Sequence, residues 1–215
     1  MKVYVITLKR HVKRQELMRQ RMAHLGVEFE FFYGVDGYQL SESELARVDQ
    51  AYCREHFGHE LTHGEIGCAL SHIKLYEKIQ KEGIEQALIL EDDAYMLSIT
   101  PEIIEALPKK DKYEIIYLYH GKAKKYPFKR SLPHGYQLVR YRYPTRNSRR
   151  FITGAVAYIV NASAAEKLLQ QAYPIRMPAD YLTGYIQRNR LRAYGVEPNC
   201  LDTGHFHTTI PGRNY

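Results

Sequence analysis

Residues 62–93, THGEIGCALSHIKLYEKIQKEGIEQALILEDD, contain a helix signal, a strand signal and a row of carboxylates in close succession. Thr62 can cap the helix while Glu65 reaches back to its first residue, which is the arrangement of a capping box. Apolar residues then recur at helical spacing until Gly83 ends the helix. The apolar run at residues 87–90 is typical of a strand buried on both faces. The stretch therefore predicts a helix and a buried strand that lead directly into Glu91, Asp92 and Asp93.

The chain on either side of this stretch repeats the alternation of strands and helices. Short β-branched or apolar runs predict strands at residues 2–8, 27–33, 114–119 and 151–160. Helical patterns occur at residues 11–26, at 41–57, in the Ala-rich segment after Asn161, and at 180–190. Such alternation predicts an α/β fold with a mainly parallel central sheet. We expect a single domain over residues 1–215, with a basic, irregular excursion or hairpin insertion near residues 121–150.

The composition and the cysteines indicate a soluble protein in a reducing compartment. Of the 215 residues, 45% are apolar and 26% are charged, which is ordinary for a globular domain with a sizeable core. No apolar run approaches the roughly 18 residues that span a bilayer, and the N-terminal run is too short for a signal peptide. Cys53, Cys68 and Cys200 form no CxxC pair, which argues against a disulfide framework or a zinc knuckle. We therefore expect a cytoplasmic protein whose mature chain begins at Met1.

The net charge of +7 favours acidic partners. Basic residues cluster in residues 9–21, 122–130 and 140–150, and the chain has 19 tyrosines and no tryptophan. A basic stretch interleaved with tyrosines is compatible with single-stranded nucleic acid, with anionic lipid headgroups and with nucleotide diphosphates. Charge alone does not choose among these partners. One hypothesis is peripheral contact with the anionic, cytoplasmic face of a membrane.

The acidic triplet at residues 91–93 stands where open α/β sheets bind their ligands, just beyond the carboxyl end of a strand. Three adjacent carboxylates repel one another unless a cation joins them. A hard divalent ion with oxygen ligands meets that need and can bridge to a diphosphate. The alternative is a solvated acidic turn or a helix N-cap. A metal-dependent phosphohydrolase is a further alternative, but it would need more Asp or His ligands at successive strand ends.

A set of short segments runs in order along nearly the whole chain. The most specific are residues 61–72 (LTHGEIGCALSH), followed by residues 87–94 (ALILEDDA). The others are residues 3–16 (VYVITLKRHVKRQE), 35–37 (VDG), 153–169 (TGAVAYIVNASAAEKLL) and 178–180 (PAD). Together these segments resemble the signature of glycosyltransferase family 25, the lipopolysaccharide-type galactosyltransferases. Thr7 departs from the family pattern, which more often has Asn at this position.

The resemblance implies a GT-A type, Rossmann-like fold that binds a nucleotide sugar. It also implies a divalent cation, usually manganese, and a UDP-sugar donor, commonly UDP-galactose. The family inverts the anomeric centre, so the expected reaction transfers galactose to a hydroxyl of a cell-surface glycan such as lipooligosaccharide. The acceptor would be a glycan or glycolipid, and no nucleic-acid partner is expected. The alternative is a carbohydrate- or nucleic-acid-binding module without catalysis.

The resemblance also assigns roles to individual residues. The family's acidic motif maps onto Glu91 and Asp93, with Asp93 as the direct metal ligand and Asp92 or Glu91 near the ribose or a bound water. GT-A enzymes often take a further metal ligand from a late histidine, which makes His205 and His207 candidates. The residues expected at the donor site are Thr7, Leu8, Arg10, Arg14, Asp36, Ser71, His72, Glu91, Asp92, Thr153 and Gly154.

Several of these residues have a plain structural alternative. His72 can be a half-buried helical histidine, and Asp36 can simply form a turn with Gly37. Thr153 and Gly154 can serve strand packing alone. Surface arginines such as Arg14 are usually just solvated.

Asp180 matches an acidic position of the family and is the candidate general base. An inverting transfer is a single displacement, in which a carboxylate takes the proton of the attacking hydroxyl. The metal and basic groups neutralise the leaving diphosphate meanwhile. The alternative is that Asp180 caps a helix that begins at Tyr181.

Overall fold

The computed structural model describes residues 1–108, 113–121 and 123–203. The strands are β1 (Lys2–Thr7), β2 (Glu30–Tyr33), β3 (Gln86–Glu91), β4 (Tyr95–Met96), β5 (Ile115–Tyr117), β6 (Lys125–Ser131), β7 (Gln137–Tyr141), β8 (Ala157–Asn161), β9 (Ala193–Glu197) and β10 (Leu201–Asp202). The helices are α1 (Val12–His24), α2 (Glu42–Leu45), α3 (Gln50–Phe57), α4 (His63–Lys81), α5 (Thr100–Glu105), α6 (Ala162–Leu169), α7 (Ala179–Gly184) and α8 (Ile186–Asn189). Over these ranges, no helix has the length and apolar character needed to cross a membrane.

Eight strands form one central sheet in the order β2-β1-β3-β8-β5-β9-β7-β6. The predicted α/β class is confirmed. Within the part of the chain that the structure describes, the β1–β2, β1–β3 and β5–β9 pairs are parallel and the other four pairs are antiparallel. Six of the eight strands still run in one direction, since only β7 and β8 are reversed. Most strands thus share one direction, as the predicted α/β class requires, while the two reversed strands make the pairing mixed. A short apolar run such as β8 is buried equally well in either direction.

The sheet is covered on both faces. Ile89 and Tyr158 point to the face that packs against α4, α6 and α7. Leu90 and Ile159, their neighbours along β3 and β8, point to the opposite face, which packs against α1 and α5. Successive side chains of a strand alternate between faces, so an apolar run without alternation is what two covered faces require.

The predicted start of α4 is confirmed. Thr62 Oγ1 accepts a hydrogen bond from the backbone N–H of Glu65 at 3.2 Å, and Glu65 Oε2 accepts one from the backbone N–H of Thr62 at 2.9 Å. The helix runs for 19 residues. The chain turns at Gly83 and enters β3, in which residues 87–90 are fully buried. Residues 62–93 thus form the predicted helix and strand.

Other predicted elements differ at their boundaries. Residues 41–57 form two helices, because Val48 between them makes a parallel bridge to Ile175 and Asp49 caps α3. Residues 180–190 are likewise divided between α7 and α8, and β8 occupies only the second half of residues 151–160. Residues 121–150 contain the hairpin β6–β7, which extends the central sheet at its outer edge.

Candidate functional site

Four strands bring their carboxyl ends to one edge of the sheet. β1 is parallel to β3, β5 is parallel to β9, and β8 is antiparallel to both β3 and β5. β1, β3, β5 and β9 therefore end at the same edge, at Thr7, Glu91, Tyr117 and Glu197. This is the edge at which open α/β sheets bind their ligands.

Asp92 joins the end of β3 to the end of β1 and the start of α1. Its Oδ2 accepts a hydrogen bond from Thr7 Oγ1 at 2.7 Å and lies 3.0 Å from His11 Nδ1. Its Oδ1 accepts from Arg14 Nη1 at 2.8 Å, and the residue is only 7% exposed. The structure thus brings three predicted donor residues together, with Asp92 holding the other two in place. Arg14 is part of this network and is not simply solvated.

The loop after β1 is held by one backbone hydrogen bond and by a side chain of α1. The carbonyl of Leu8 accepts from the N–H of His11 at 2.9 Å and from Gln15 Nε2 at 2.9 Å. Gln15 is buried and also reaches the carbonyl of Lys9 at 3.4 Å. The predicted donor residue Leu8 therefore lies in a loop whose shape α1 determines.

Asp36 makes the turn that was its structural alternative, whereas its role at the donor site stays a prediction. Its carboxylate forms an ion pair with Arg10, and its Oδ1 accepts from the backbone N–H of Tyr38 at 3.1 Å, which makes the turn. Gly34 N–H donates to the carbonyl of Thr7 at 2.9 Å. The loop after β1 and the loop after β2 are therefore joined side by side, and Arg10 keeps 47% of its side chain exposed.

Ser71 and two glycines hold the second loop against α4. Ser71 Oγ accepts from the backbone N–H of Val35 at 2.8 Å and donates to the carbonyl of Gly67 at 2.6 Å. A Cβ on Gly67 would stand 2.6 Å from the backbone nitrogen of Gly37, and a Cβ on Gly37 would stand 1.6 Å from the carbonyl oxygen of His63. Both glycines are therefore required for this close approach. Ser71 is buried and positions the loop that carries Asp36.

Glu91 points away from Asp92, towards α4. Its Oε1 lies 3.3 Å from His72 Nε2 and 3.8 Å from Cys68 Sγ. His72 is a fully buried, not a half-buried, helical histidine, and its Nδ1 lies 2.6 Å from the hydroxyl of Tyr158. Its role at the donor site stays a prediction. The adjacent carboxylates therefore contact helices on opposite faces of the sheet, Glu91 on α4 and Asp92 on α1.

Asp93 is the member of the triplet with an unsatisfied atom. Among the residues that the structure describes, its buried Oδ1 has no hydrogen-bond partner. Burial, followed by the nearby charges of Glu91 and Asp92, raises the pKa of Asp93 to about 7. Asp92 and Asp93 line a cavity of about 510 Å³ together with Arg14 and Arg21. A buried oxygen that repels neighbouring carboxylates suits a cation, so this residue fits the metal role predicted for it.

The segment with Thr153 and Gly154 crosses between two strand ends. The backbone of Thr153 pairs with Gly121 in both directions, at 2.9 and 3.1 Å. Two residues beyond Gly154, the carbonyl of Val156 accepts from the N–H of Glu91 at 2.8 Å. Gly154 has a φ of +105°, which side chains rarely adopt. The segment therefore lies at the same edge as the acidic triplet.

Asp180 lies in the first turn of α7. Pro178 occupies the position before this helix, and no side chain caps it. The helix-capping alternative is therefore wrong, whereas the general-base role stays a prediction. The next residue, Tyr181, packs against Phe57 and Phe151 with ring centroids 5.2 and 3.9 Å apart.

The predicted ligands His205 and His207 lie outside the described residues. The chain that leads to them can be followed as far as Thr203. There β10 pairs with β4, so that Asp202 stands opposite Tyr95. Tyr95 is two residues from Asp93, which brings the end of the described chain close to the acidic triplet.

Three residues of this edge were missed from the sequence. His11 joins the Asp92 network, and its only signal was its place in the matched segment 3–16. Tyr158 orients His72, and nothing in a continuous apolar strand marks it. His120 follows β5 and lines a second cavity of about 510 Å³ with Lys125, Glu197 and Asn199. Burial lowers the pKa of His120, and its Nε2 lies 2.6 Å from the Tyr141 hydroxyl.

Comparison with known proteins identifies the family. A family model described as "Glycosyltransferase family 25 (LPS biosynthesis protein)" matches residues 1–183. The chain belongs to glycosyltransferase family 25. The family 25 match includes the acidic triplet, both loops of the β1–β2 edge and Asp180.

The relatives in family 25 are longer proteins. A "Glycosyltransferase 25 family member" from Aedes aegypti is 32% identical over 123 residues, which cover 54% of this chain and 20% of that protein. "Procollagen galactosyltransferase 1" from Danio rerio is 25% identical over 231 residues, which cover 95% of this chain and 36% of the relative. "Inactive glycosyltransferase 25 family member 3" from Mus musculus is also 25% identical, with 95% and 37% coverage. The chain thus spans a fifth to somewhat over a third of the length of these relatives.

Proposed function

We propose that the chain is a glycosyltransferase that moves galactose from UDP-galactose to an acceptor hydroxyl. The observation that supports it most is Asp93 at the carboxyl edge of the sheet, whose buried Oδ1 receives no hydrogen bond from residues 1–108, 113–121 or 123–203. Such a carboxylate needs a cation, and the adjacent cavity with Arg14 and Arg21 can accept a diphosphate. Family membership supports the reaction class, and relatives named procollagen galactosyltransferase support galactose as the sugar.

Asp93 and Glu91 would hold the divalent cation, which we propose to be manganese. When bound, the ion would neutralise the charge that develops on the leaving diphosphate. Asp92 would position Thr7, His11 and Arg14 and would not bind the cation itself. Both of its carboxylate oxygens already contact these three residues. His205 or His207 would complete the ligand set.

The nucleotide would lie across the loops that follow β1 and β2. These loops are joined by the Arg10–Asp36 ion pair, and the half-exposed guanidinium of Arg10 has donors available for phosphate. Thr153 and Gly154 would border the sugar side, where the positive φ of Gly154 turns the backbone beside Tyr119 and His120.

Asp180 would be the general base of an inverting displacement. The acceptor oxygen forms its bond to the anomeric carbon while the bond between that carbon and UDP breaks. The hydroxyl proton passes to the Asp180 carboxylate, and the product is β-linked. The family description favours an acceptor of the lipopolysaccharide type, a glycan or glycolipid such as lipooligosaccharide.

Release of UDP is the direct test of this proposal. The full chain is incubated with a panel of UDP-sugars and a lipooligosaccharide acceptor, with manganese or with excess chelator. We expect acceptor-dependent UDP release from UDP-galactose that stops in chelator. No acceptor-dependent release from any UDP-sugar would refute the transferase proposal, and this outcome matters because one relative is named as inactive. Phosphate release from simple esters would instead support the phosphohydrolase alternative.

The outer hairpin supports a place at the cytoplasmic membrane face. All seven residues of β6 are exposed, including Phe128 at 83%. The guanidinium groups of Arg140 and Arg142 each lie 5.6 Å from the centre of the Tyr126 ring. An exposed aromatic side chain flanked by cations matches the interface of an anionic bilayer.

Charge reversal on the hairpin is expected to weaken binding to anionic vesicles. Each basic residue near such a surface contributes about 1 kcal/mol, so losing two of them costs roughly 30-fold in the partition coefficient at low salt. Lys129→Glu with Arg130→Glu should exceed that reduction, because the new carboxylates are repelled by the anionic surface. Flotation with vesicles of phosphatidylserine and phosphatidylcholine measures it. The control, Lys13→Glu with Lys81→Glu, makes the same charge change elsewhere. Equal binding of wild type to neutral vesicles would contradict the electrostatic account.

A further inference from the structure

Three potential metal ligands of different chemistry meet behind the acidic triplet. Cys68 and His72 are four residues apart on α4 and therefore share one face of the helix. Glu91 reaches them from the end of β3. The ligand atoms of the three side chains all lie within 4.8 Å of one another. None of the roles assigned above uses Cys68.

The spacing agrees with tetrahedral coordination. Zinc binds nitrogen and carboxylate oxygen at about 2.0–2.1 Å and thiolate sulfur at about 2.3 Å. A tetrahedron with these bond lengths separates nitrogen from oxygen by about 3.4 Å and sulfur from oxygen by about 3.5 Å. The observed separations are 3.3 Å from His72 Nε2 to Glu91 Oε1 and 3.8 Å from Cys68 Sγ to the same oxygen. The third separation, between Cys68 Sγ and His72 Nε2, is no more than 4.8 Å, so the Cys68 side chain would close on the imidazole when the ion binds.

Neighbouring tyrosines hold the His72 ring in the orientation that a metal-binding histidine needs. A metal-binding histidine usually hydrogen-bonds through its other ring nitrogen, which sets its tautomer and orientation. His72 Nδ1 lies 2.6 Å from the Tyr158 hydroxyl, which in turn lies 2.6 Å from the Tyr76 hydroxyl. Both tyrosines are fully buried, so the imidazole is held with Nε2 directed at Glu91.

The site is open on one side. Glu91 keeps 27% of its side chain exposed and Cys68 is half-buried, whereas His72 is fully buried. Three protein ligands with one accessible position are the arrangement of zinc sites that also take a water or a substrate oxygen.

We propose that Cys68, His72 and Glu91 form a binding site for a thiophilic divalent cation of the zinc type. Thiolate and imidazole ligands favour zinc and cobalt. The site proposed at Asp93 has mainly oxygen ligands, which favour manganese. The ion would bind Cys68 Sγ, His72 Nε2 and Glu91 Oε1, and the proton of the Cys68 thiol passes to solvent. The proton of the neutral His72 imidazole then lies on Nδ1, which donates to the Tyr158 hydroxyl. The inference does not depend on the proposed transferase activity, although the two sites would share Glu91.

The same contacts permit a network without metal, which the experiment must separate. In that network His72 Nε2–H donates to Glu91 and the Tyr158 hydroxyl donates to Nδ1. Cys68 then remains a thiol beside the carboxylate. This arrangement predicts no cobalt–thiolate bond.

Cobalt(II) chloride is the probe, added to the reduced full chain and followed by absorption. We expect one equivalent to produce the near-ultraviolet charge-transfer band of a cobalt–thiolate bond, with the visible bands of a tetrahedral ion. Cys68→Ser should abolish the charge-transfer band, and His72→Gln should weaken cobalt affinity at least 10-fold. Cys53→Ser is the matched thiol control and should retain the band. Zinc should displace the cobalt.

The outcomes that overturn the proposal are specific. They are cobalt bound without the charge-transfer band, a band that survives Cys68→Ser, and no binding at all. Circular dichroism of Cys68→Ser establishes that the variant is folded, which its nearly isosteric side chain favours. Asp93→Asn separates the two sites, because it should keep the thiolate band even though it removes the proposed manganese ligand.

Discussion

Asp93→Asn is expected to abolish manganese-dependent transfer without lowering the stability of the fold. The variant keeps the shape of the side chain but loses the charge that would hold the cation. A metal ion supplies several kcal/mol of charge stabilisation to the transition state, so turnover should fall at least about 10²-fold. The measurement is UDP release in the presence of acceptor and manganese.

The thermal stability of Asp93→Asn tests whether the charge of Asp93 accounts for the lost activity. Burial and neighbouring carboxylates raise the pKa of Asp93 to about 7, so its ionised form destabilises the fold, increasingly so as pH rises from about 4 to 7. At pH 8 without metal, Asp93→Asn should therefore melt at or above the wild-type temperature. Manganese should raise the melting temperature of the wild type but not that of the variant.

Asp92→Asn should lower the stability of the fold, in contrast to Asp93→Asn. Asp92→Asn removes charge-assisted contacts with Arg14 and His11, each worth about 1.5–3 kcal/mol. The melting temperature should fall by roughly 6–20 °C, since 1 kcal/mol corresponds to about 2–4 °C in a domain of this size. Glu105→Gln, an exposed carboxylate on α5, is the neutral control.

A wild-type rate for Asp93→Asn in excess manganese would contradict the proposal that Asp93 is a ligand of the metal.

The parts of the fold that could be predicted from the sequence are those encoded locally. The capping box of Thr62 and Glu65 needs only four residues, and the apolar run at 87–90 needs only two covered faces. The position of the acidic triplet follows from that strand. These signals do not depend on the rest of the chain, and they located the edge at which the site is built.

Strand direction and side-chain facing could not be predicted in the same way. β8 is as apolar as β3, and its reversal depends on the path of the chain between them. Glu91 and Asp92 are adjacent and chemically alike, yet one contacts α4 and the other contacts α1, because successive side chains alternate. His120 and Tyr158 become visible only when distant strands are placed side by side.

The close approach of two glycines shows why the matched motifs occur together. Gly67 belongs to the helix motif and Gly37 to the short segment 35–37, and the backbones of the two touch. A sequence comparison finds both motifs but gives no reason for either. In the structure, each leaves room for the other and sets the loop that carries Asp36.

Asp180→Asn is expected to reduce turnover roughly 10²–10⁴-fold, the usual range for a positioned general base. The amide keeps the shape of the carboxylate but cannot take the proton of the acceptor hydroxyl. Because Pro178, and not Asp180, occupies the capping position of α7, the substitution removes no helix cap. It does remove a first-turn charge, which is worth about 0.3–1 kcal/mol. Turnover, UDP affinity and the thermal melt are measured together.

The combination of results separates catalysis from structure. A base that acts on the acceptor should leave UDP affinity nearly unchanged, because UDP binding does not involve that proton. Glu42→Gln is the matched control, since Glu42 is also an acidic residue in the first turn of a short helix. It should lose as little stability as Asp180→Asn and keep full turnover. If Asp180→Asn works near the wild-type rate, Asp180 stabilises only the start of α7 and another group takes the proton.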